Sequence, residues 1–157
     1  MAPQFTNIPD MSLWSQSIGG LIINFGGLEF QTLRWLQILG GETAAMKARG
    51  QRLSQRIDVV LTLLAASNIS PEKQVEAIAL WQEVKELSRI RNRIAHNPLC
   101  LGRDPNTDEA NFSVIDLKKM MPSGENSLEP LSYKQIAEIA VRARNINLFL
   151  SRIVETA

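Results

Sequence analysis

Apolar residues recur every three or four positions along four long stretches of this 157-residue chain, and that spacing commits most of it to amphipathic helices. In the first stretch, Ser12 to Leu39, one stripe carries Leu21, Phe25, Leu28, Trp35 and Leu39, with Ile18, Ile22 and Leu36 beside it. Gly40-Gly41 supplies the stop. The second stretch runs from Glu42 or Thr43 to Ala66, with Met46, Leu53, Ile57, Val60, Leu61 and Leu64 on its buried face, and Asn68 ends it. A third opens at Ser70-Pro71, a good N-cap followed by the residue favoured at the first helical position. Its stripe is Leu80, Val84, Leu87 and Ile94, and it closes at Asn97-Pro98, because the residue before proline is pushed out of the α region. The last opens at Ser132 with Gln135 three positions on, a capping-box spacing, and continues through Ile136, Ile139, Ala143, Ile146, Leu150 and Ile153.

Between these stretches, residues 1–11 read as a loose arm and residues 99–130 as an insertion. Leu99-Cys100-Leu101 and Phe112-Ser113-Val114-Ile115 flank a polar tip and predict a small hairpin, with loop from Met121 to Pro130. The expected fold is all-α: one domain over residues 1–157, an antiparallel four-helix bundle with a hairpin or loop insertion between helices three and four. Two glycine doublets, Gly19-Gly20 and Gly26-Gly27, lie seven apart and so share a helical face. They mark either the close approach of another helix, within the chain or across a dimer, or a frayed first half of the helix.

Several function classes are excluded at once. One cysteine, Cys100, gives no internal disulfide framework, and with one histidine, His96, it gives no Cys/His-rich zinc site within a chain. No P-loop, dinucleotide fingerprint or nucleophile elbow is present, and no metal or cofactor is expected. Met1 to Trp14 contains no basic residue. The most apolar run, Ile18 to Phe30, is broken by glycines and Glu29, so it falls short of the ~20 residues of a spanning helix. A soluble cytoplasmic protein is expected.

The formal net charge of +1 hides segregation. From Thr43 to Arg56 the chain carries Lys47, Arg49, Arg52 and Arg56 and no acid. From Ser88 to Arg103 it carries Arg89, Arg91, Arg93 and Arg103, again without an acid, whereas Asp104 to Glu129 holds six acids against Lys118 and Lys119. Arg49, Arg52 and Arg56 fall at i, i+3 and i+7, which predicts one stripe on the second helix. Two basic patches of this kind suit a polyanion even in a neutral chain; a solvated helix face paired with Glu83 and Glu86 is the alternative.

The second patch contains the only histidine. His96 stands at a helix C-terminus, and imidazole is the side chain suited to proton transfer near neutral pH. Asn92 and His96 are four apart and share a face, within hydrogen-bonding reach of each other. Arg91 lies about 140° around the helix from His96, so it reaches the same site only by its long side chain, by distortion near Pro98, or from a second chain.

The run Leu87-Ser88-Arg89-Ile90-Arg91-Asn92-Arg93-Ile94-Ala95-His96 resembles the R-x4-6-H motif of the HEPN superfamily, in which a polar residue, often Asn, follows the arginine near the end of the third helix of a four-helix bundle. The helix layout extends the resemblance from Ser12 to Val154; its specific part is these ten residues. The resemblance implies a metal-independent ribonuclease that works as a homodimer with two motifs facing one another, of the kind found as toxins with antitoxin partner proteins or in antiviral defence. By position it makes Arg91 and His96 the catalytic pair and Asn92 their polar support; under that reading the two basic patches supply Arg89, Arg93, Arg49, Arg52 and Arg56 as candidate RNA phosphate contacts. Members that have lost the motif serve as noncatalytic interaction modules that bind a partner protein or nucleotide, which is the competing expectation.

Overall fold

A computed structural model describes residues 11–97, 99–103, 110–114 and 131–156. Its elements are α1 (Met11–Ala48), α2 (Leu53–Ala65), α3 (Pro71–His96), the strands β1 (Leu99–Arg103) and β2 (Ala110–Val114), and α4 (Tyr133–Glu155). Four helices packed on one another form the body, and the two strands pair as an antiparallel ribbon from Leu99↔Val114 to Arg103↔Ala110. The expected hairpin is therefore present; its tip, Ile115 and the 121–130 segment lie outside the described residues, as do residues 1–10 of the arm. No helix among the described residues is long and apolar enough to cross a membrane.

Helix ends follow local chemistry. Ser132 accepts from the Gln135 backbone N–H while the Gln135 side chain accepts from the Ser132 N–H, so the capping box of α4 closes in both directions. Proline starts α3 as expected, and Asn97 leaves the helix with extended backbone. Gly41 takes φ +78°, a left-handed conformation that a side chain resists, and breaks the helix between the long part of α1 and the short 42–48 leg. The helix expected over 42–66 is in fact two pieces. Residues 42–48 continue from the Gly41 break, Arg49 to Arg52 form a turn, and α2 begins only at Leu53. Gly50 weakens helix here, and Arg52 is held extended as N-cap, its N–H donating to Gln55 Oε1 at 3.0 Å. Met46, expected in the core, is exposed for the same reason, since the phase of α2 does not extend back to it.

The direction of the helices also departs from expectation. Asn24 donates to the Ala140 carbonyl, Gly27 abuts Asn147, and Arg34 reaches Ser151 and Glu155. Residue numbers climb together on both sides, so α1 and α4 run parallel. Against α3 the order reverses: Glu83 pairs with Arg142 of α4 and Lys73 with Thr156 at the end of α4, while Lys85 pairs with Asp58 of α2 and Gln74 donates to the Leu64 carbonyl. The 42–52 segment is what makes this geometry: it packs back along α1, with Ala45 and Arg49 in a groove beside Gln37, Arg34 and Phe30, so that α2 rises again in the sense of α1. An antiparallel arrangement thus holds for α3 against the other helices and not for the first and fourth.

The glycine doublets have a local answer. The helix is continuous through both. Gly20 and Gly27 face α4 of the same chain, where a Cβ on Gly27 would stand 2.8 Å from Asn147 Nδ2. Gly19 and Gly26 face open space.

The core is filled by Trp14, Leu21, Phe25, Leu28, Trp35 and Leu36 of α1, Ile57 and Leu64 of α2, Trp81 and Val84 of α3, and Ile136, Ile146 and Leu150 of α4. Trp35 and Trp81 meet edge to face, centroids 6.0 Å apart at 86°, and fix α1 against α3.

A bidentate pair ties α3 to α4 at the surface. Arg142 Nε and Nη2 donate to the two Glu83 carboxylate oxygens, each at 2.6 Å. These hydrogen bonds hold the Glu83 carboxyl below the usual glutamate range, against the opposing effect of partial burial and with help from the guanidinium charge. A depressed folded-state pKa contributes stability above the ordinary carboxylate range that is lost as pH falls through the depressed value. With the side chains 35% and 45% exposed, screening limits the pair to about 1 kcal/mol or less. Glu83→Gln is expected to lower the melting temperature by about 2 °C at neutral pH, and thermal melts in a pH series should show the two proteins converging in acid.

Candidate functional site

Three elements far apart in sequence meet around one cavity of about 690 Å³. The middle of α1 gives Glu29, the turn and first residues of α2 give Gln51, Arg52, Leu53, Ser54 and Arg56, and the last turns of α3 give Arg91, Asn92 and His96. Volume and mixed lining are those of a small-ligand or single-nucleotide site. Its charged side chains are three arginines and one glutamate, which favours an anion.

Glu29 organises the wall. Its Oε1 accepts from Arg91 Nη2 at 3.2 Å, and its Oε2 from Arg56 Nη2 at 3.5 Å. Arg56 Nη1 also donates to the Glu29 backbone carbonyl at 3.3 Å. The Arg56 side chain is 10% exposed, and a guanidinium buried that far needs a counter-charge. Arg91 is 24% exposed and donates through Nη1 to Asn92 Oδ1 at 3.1 Å. The Nε atoms of Arg56 and Arg91 make no hydrogen bond to a described residue.

The motif residues are thus brought together in the way the long arginine side chain permits. Arg91, Asn92 and His96 line the same cavity within one chain. Asn92 spends its oxygen on Arg91; the expected bond to His96 is not made, and His96 is exposed with no hydrogen bond to another described residue. Arg52 and Arg56 also line the cavity.

The other three candidate arginines point elsewhere. Arg49 stands in the turn and lines the α1 groove, so the expected Arg49-Arg52-Arg56 helical stripe does not form. Arg89 is exposed and pairs with Glu86 at 2.9 Å. Arg93 Nη2 donates to the Val114 carbonyl at 3.1 Å, tying the end of α3 to the ribbon on the side away from Arg91. Residues two apart on a helix face nearly opposite ways, which is why Arg91 and Arg93 part company.

Glu29, Gln51 and Ser54 are absent from the sequence-derived site. A signal existed for the first: Glu29 is the only charged residue between Asp10 and Arg34. An acid alone in an otherwise uncharged stretch of 23 helical residues, 11–33, needs a partner, whose identity depends on which helices are neighbours. Among the described residues, no three His, Cys, Asp or Glu side chains come together as metal ligands. No protein-family model, curated protein or solved structure matches this chain.

Proposed function

We propose that the chain is a HEPN-like, metal-independent endoribonuclease that acts as a cytoplasmic homodimer. The observation that carries this reading is the convergence of Arg91 and His96, with Arg52 and Arg56, on one cationic cavity. The reaction is attack of an RNA 2′-OH on the adjacent phosphorus. The O2′–P bond forms and the P–O5′ bond breaks, leaving a 2′,3′-cyclic phosphate and a 5′-OH. A base takes the 2′ proton and an acid gives a proton to O5′. One chain holds a single histidine, so a twofold dimer supplies the second imidazole, with one His96 acting as base and the other as acid. Arg91, held at its two Nη atoms, offers its remaining N–H groups to the non-bridging oxygens as charge builds on them. A toxin or antiviral-defence role, with or without an antitoxin partner, is compatible with this chemistry.

One observation favours a second reading. The Arg91–Glu29 pair joins α3 to α1, which is also what a noncatalytic helical interaction module would need of it. The two readings separate on purified protein incubated with RNA in EDTA. The ribonuclease is expected to cut and to leave cyclic-phosphate and 5′-OH ends; RNA left intact at micromolar protein would reject it in favour of the module.

A further inference from the structure

We infer that Glu29 is a positioning residue of this site: its carboxylate holds the Arg91 and Arg56 guanidinium groups in place on the cavity wall. The inference rests on the ribonuclease reading and extends it to a residue outside the Arg-Asn-x-x-x-His segment. Each carboxylate oxygen serves a different arginine, Oε1 taking Arg91 from α3 and Oε2 taking Arg56 from α2. The two cations therefore sit on either side of one acid, which offsets their mutual repulsion. Arg91 is fixed at both ends of its fork, by Glu29 at Nη2 and by Asn92 at Nη1, so its guanidinium plane is set before a substrate arrives.

The location argues against an incidental ion pair. Glu29 lines the cavity itself, with 33% of its side chain exposed. A carboxylate at that place repels the phosphate that the arginines attract, so it weakens ground-state binding. Its gain lies in geometry, which is felt when charge develops on the phosphorane oxygens. Positioning therefore predicts a split between binding and turnover that a simple loss of folded protein does not give.

The test compares wild type with Glu29→Gln in cleavage of an RNA oligonucleotide and in binding of its uncleavable 2′-O-methyl counterpart. The variant is expected to lose about tenfold or more in kcat, while KM falls and the uncleavable oligonucleotide binds about threefold tighter or more. A variant equal to wild type in both, or one whose kcat falls only with its folded fraction while binding stays unchanged, overturns the inference. Should Glu29→Gln fail to fold, Glu29→Asp carries the test. It keeps the charge and shortens the reach by one methylene, so kcat is expected to fall with binding near wild type, and an unchanged kcat overturns the inference. The two levels separate cleanly: a wild type that cleaves nothing rejects the ribonuclease reading and this inference with it, whereas an active wild type matched by its Glu29 variants rejects this inference alone.

Discussion

His96→Ala is expected to cut RNA at least about a hundredfold more slowly than wild type, because proton transfer by a positioned side chain contributes about 10²–10⁴ to such reactions. The loss should fall on kcat. Arg52, Arg56 and Arg91 remain in the cavity, so binding of an uncleavable oligonucleotide is expected to change little. Stability is expected to move by about 0.5 kcal/mol or less, since His96 is exposed and makes no hydrogen bond to a described residue. Unchanged cleavage would remove His96 from the chemistry and with it the ribonuclease reading. A melting temperature lowered by several degrees, with no nuclease activity to lose, would instead assign His96 to holding the end of the bundle.

Trp81→Ala is expected to have the largest effect on stability. Trp81 is fully buried and stands edge to face with Trp35, also fully buried. Removing so large a side chain forfeits its transfer free energy and leaves a cavity, at a cost of about 3–5 kcal/mol. For a chain of this length that is about 10 °C in melting temperature, or more. Trp81→Phe is expected to cost much less. It keeps most of the ring contact and removes an indole N–H that has no hydrogen-bond partner among the described residues. Urea unfolding followed by circular dichroism measures both variants; an alanine variant within 1 kcal/mol of wild type, taken as roughly the scatter of surface substitutions, would mean that this crossing of α1 and α3 does not anchor the core.

What the sequence made legible was whatever is decided within a few residues. The Ser132/Gln135 capping box, the Ser70-Pro71 start, the Asn97 stop and the Leu99–Val114 ribbon all depend on neighbouring side chains and turn chemistry. The sequence hides the break at Arg49 to Arg52 because Leu53, Ile57 and Leu64 set a helical phase that continues on paper back through Gly50 to Met46, and a single glycine weakens such a pattern without erasing it. Helix direction was less accessible still. Periodicity tells which face of a helix is buried and is blind to the sense in which its neighbour runs, so the short return leg after Gly41, and the parallel pairing of α1 with α4 that it imposes, left no trace in the stripes. At the site, the Arg91-Asn92-x-x-x-His96 spacing named three residues that do share a cavity. Glu29, 62 positions from Arg91, was hidden because its role exists only once α1 lies against α3.

The parallel pairing bears on how the chain reaches this state. Asn24 finds the Ala140 carbonyl across 116 residues, so the most extensive helix contact among the described residues closes a loop of more than 100 residues. Until α4 arrives, the face of α1 that carries Gly20, Asn24 and Gly27 has no cover, although every residue lining the cavity has already been made. The largest helix–helix contact among the described residues thus joins the two helices farthest apart in sequence, and folding is expected to be slower than that of helical bundles whose sequential neighbours do most of the packing.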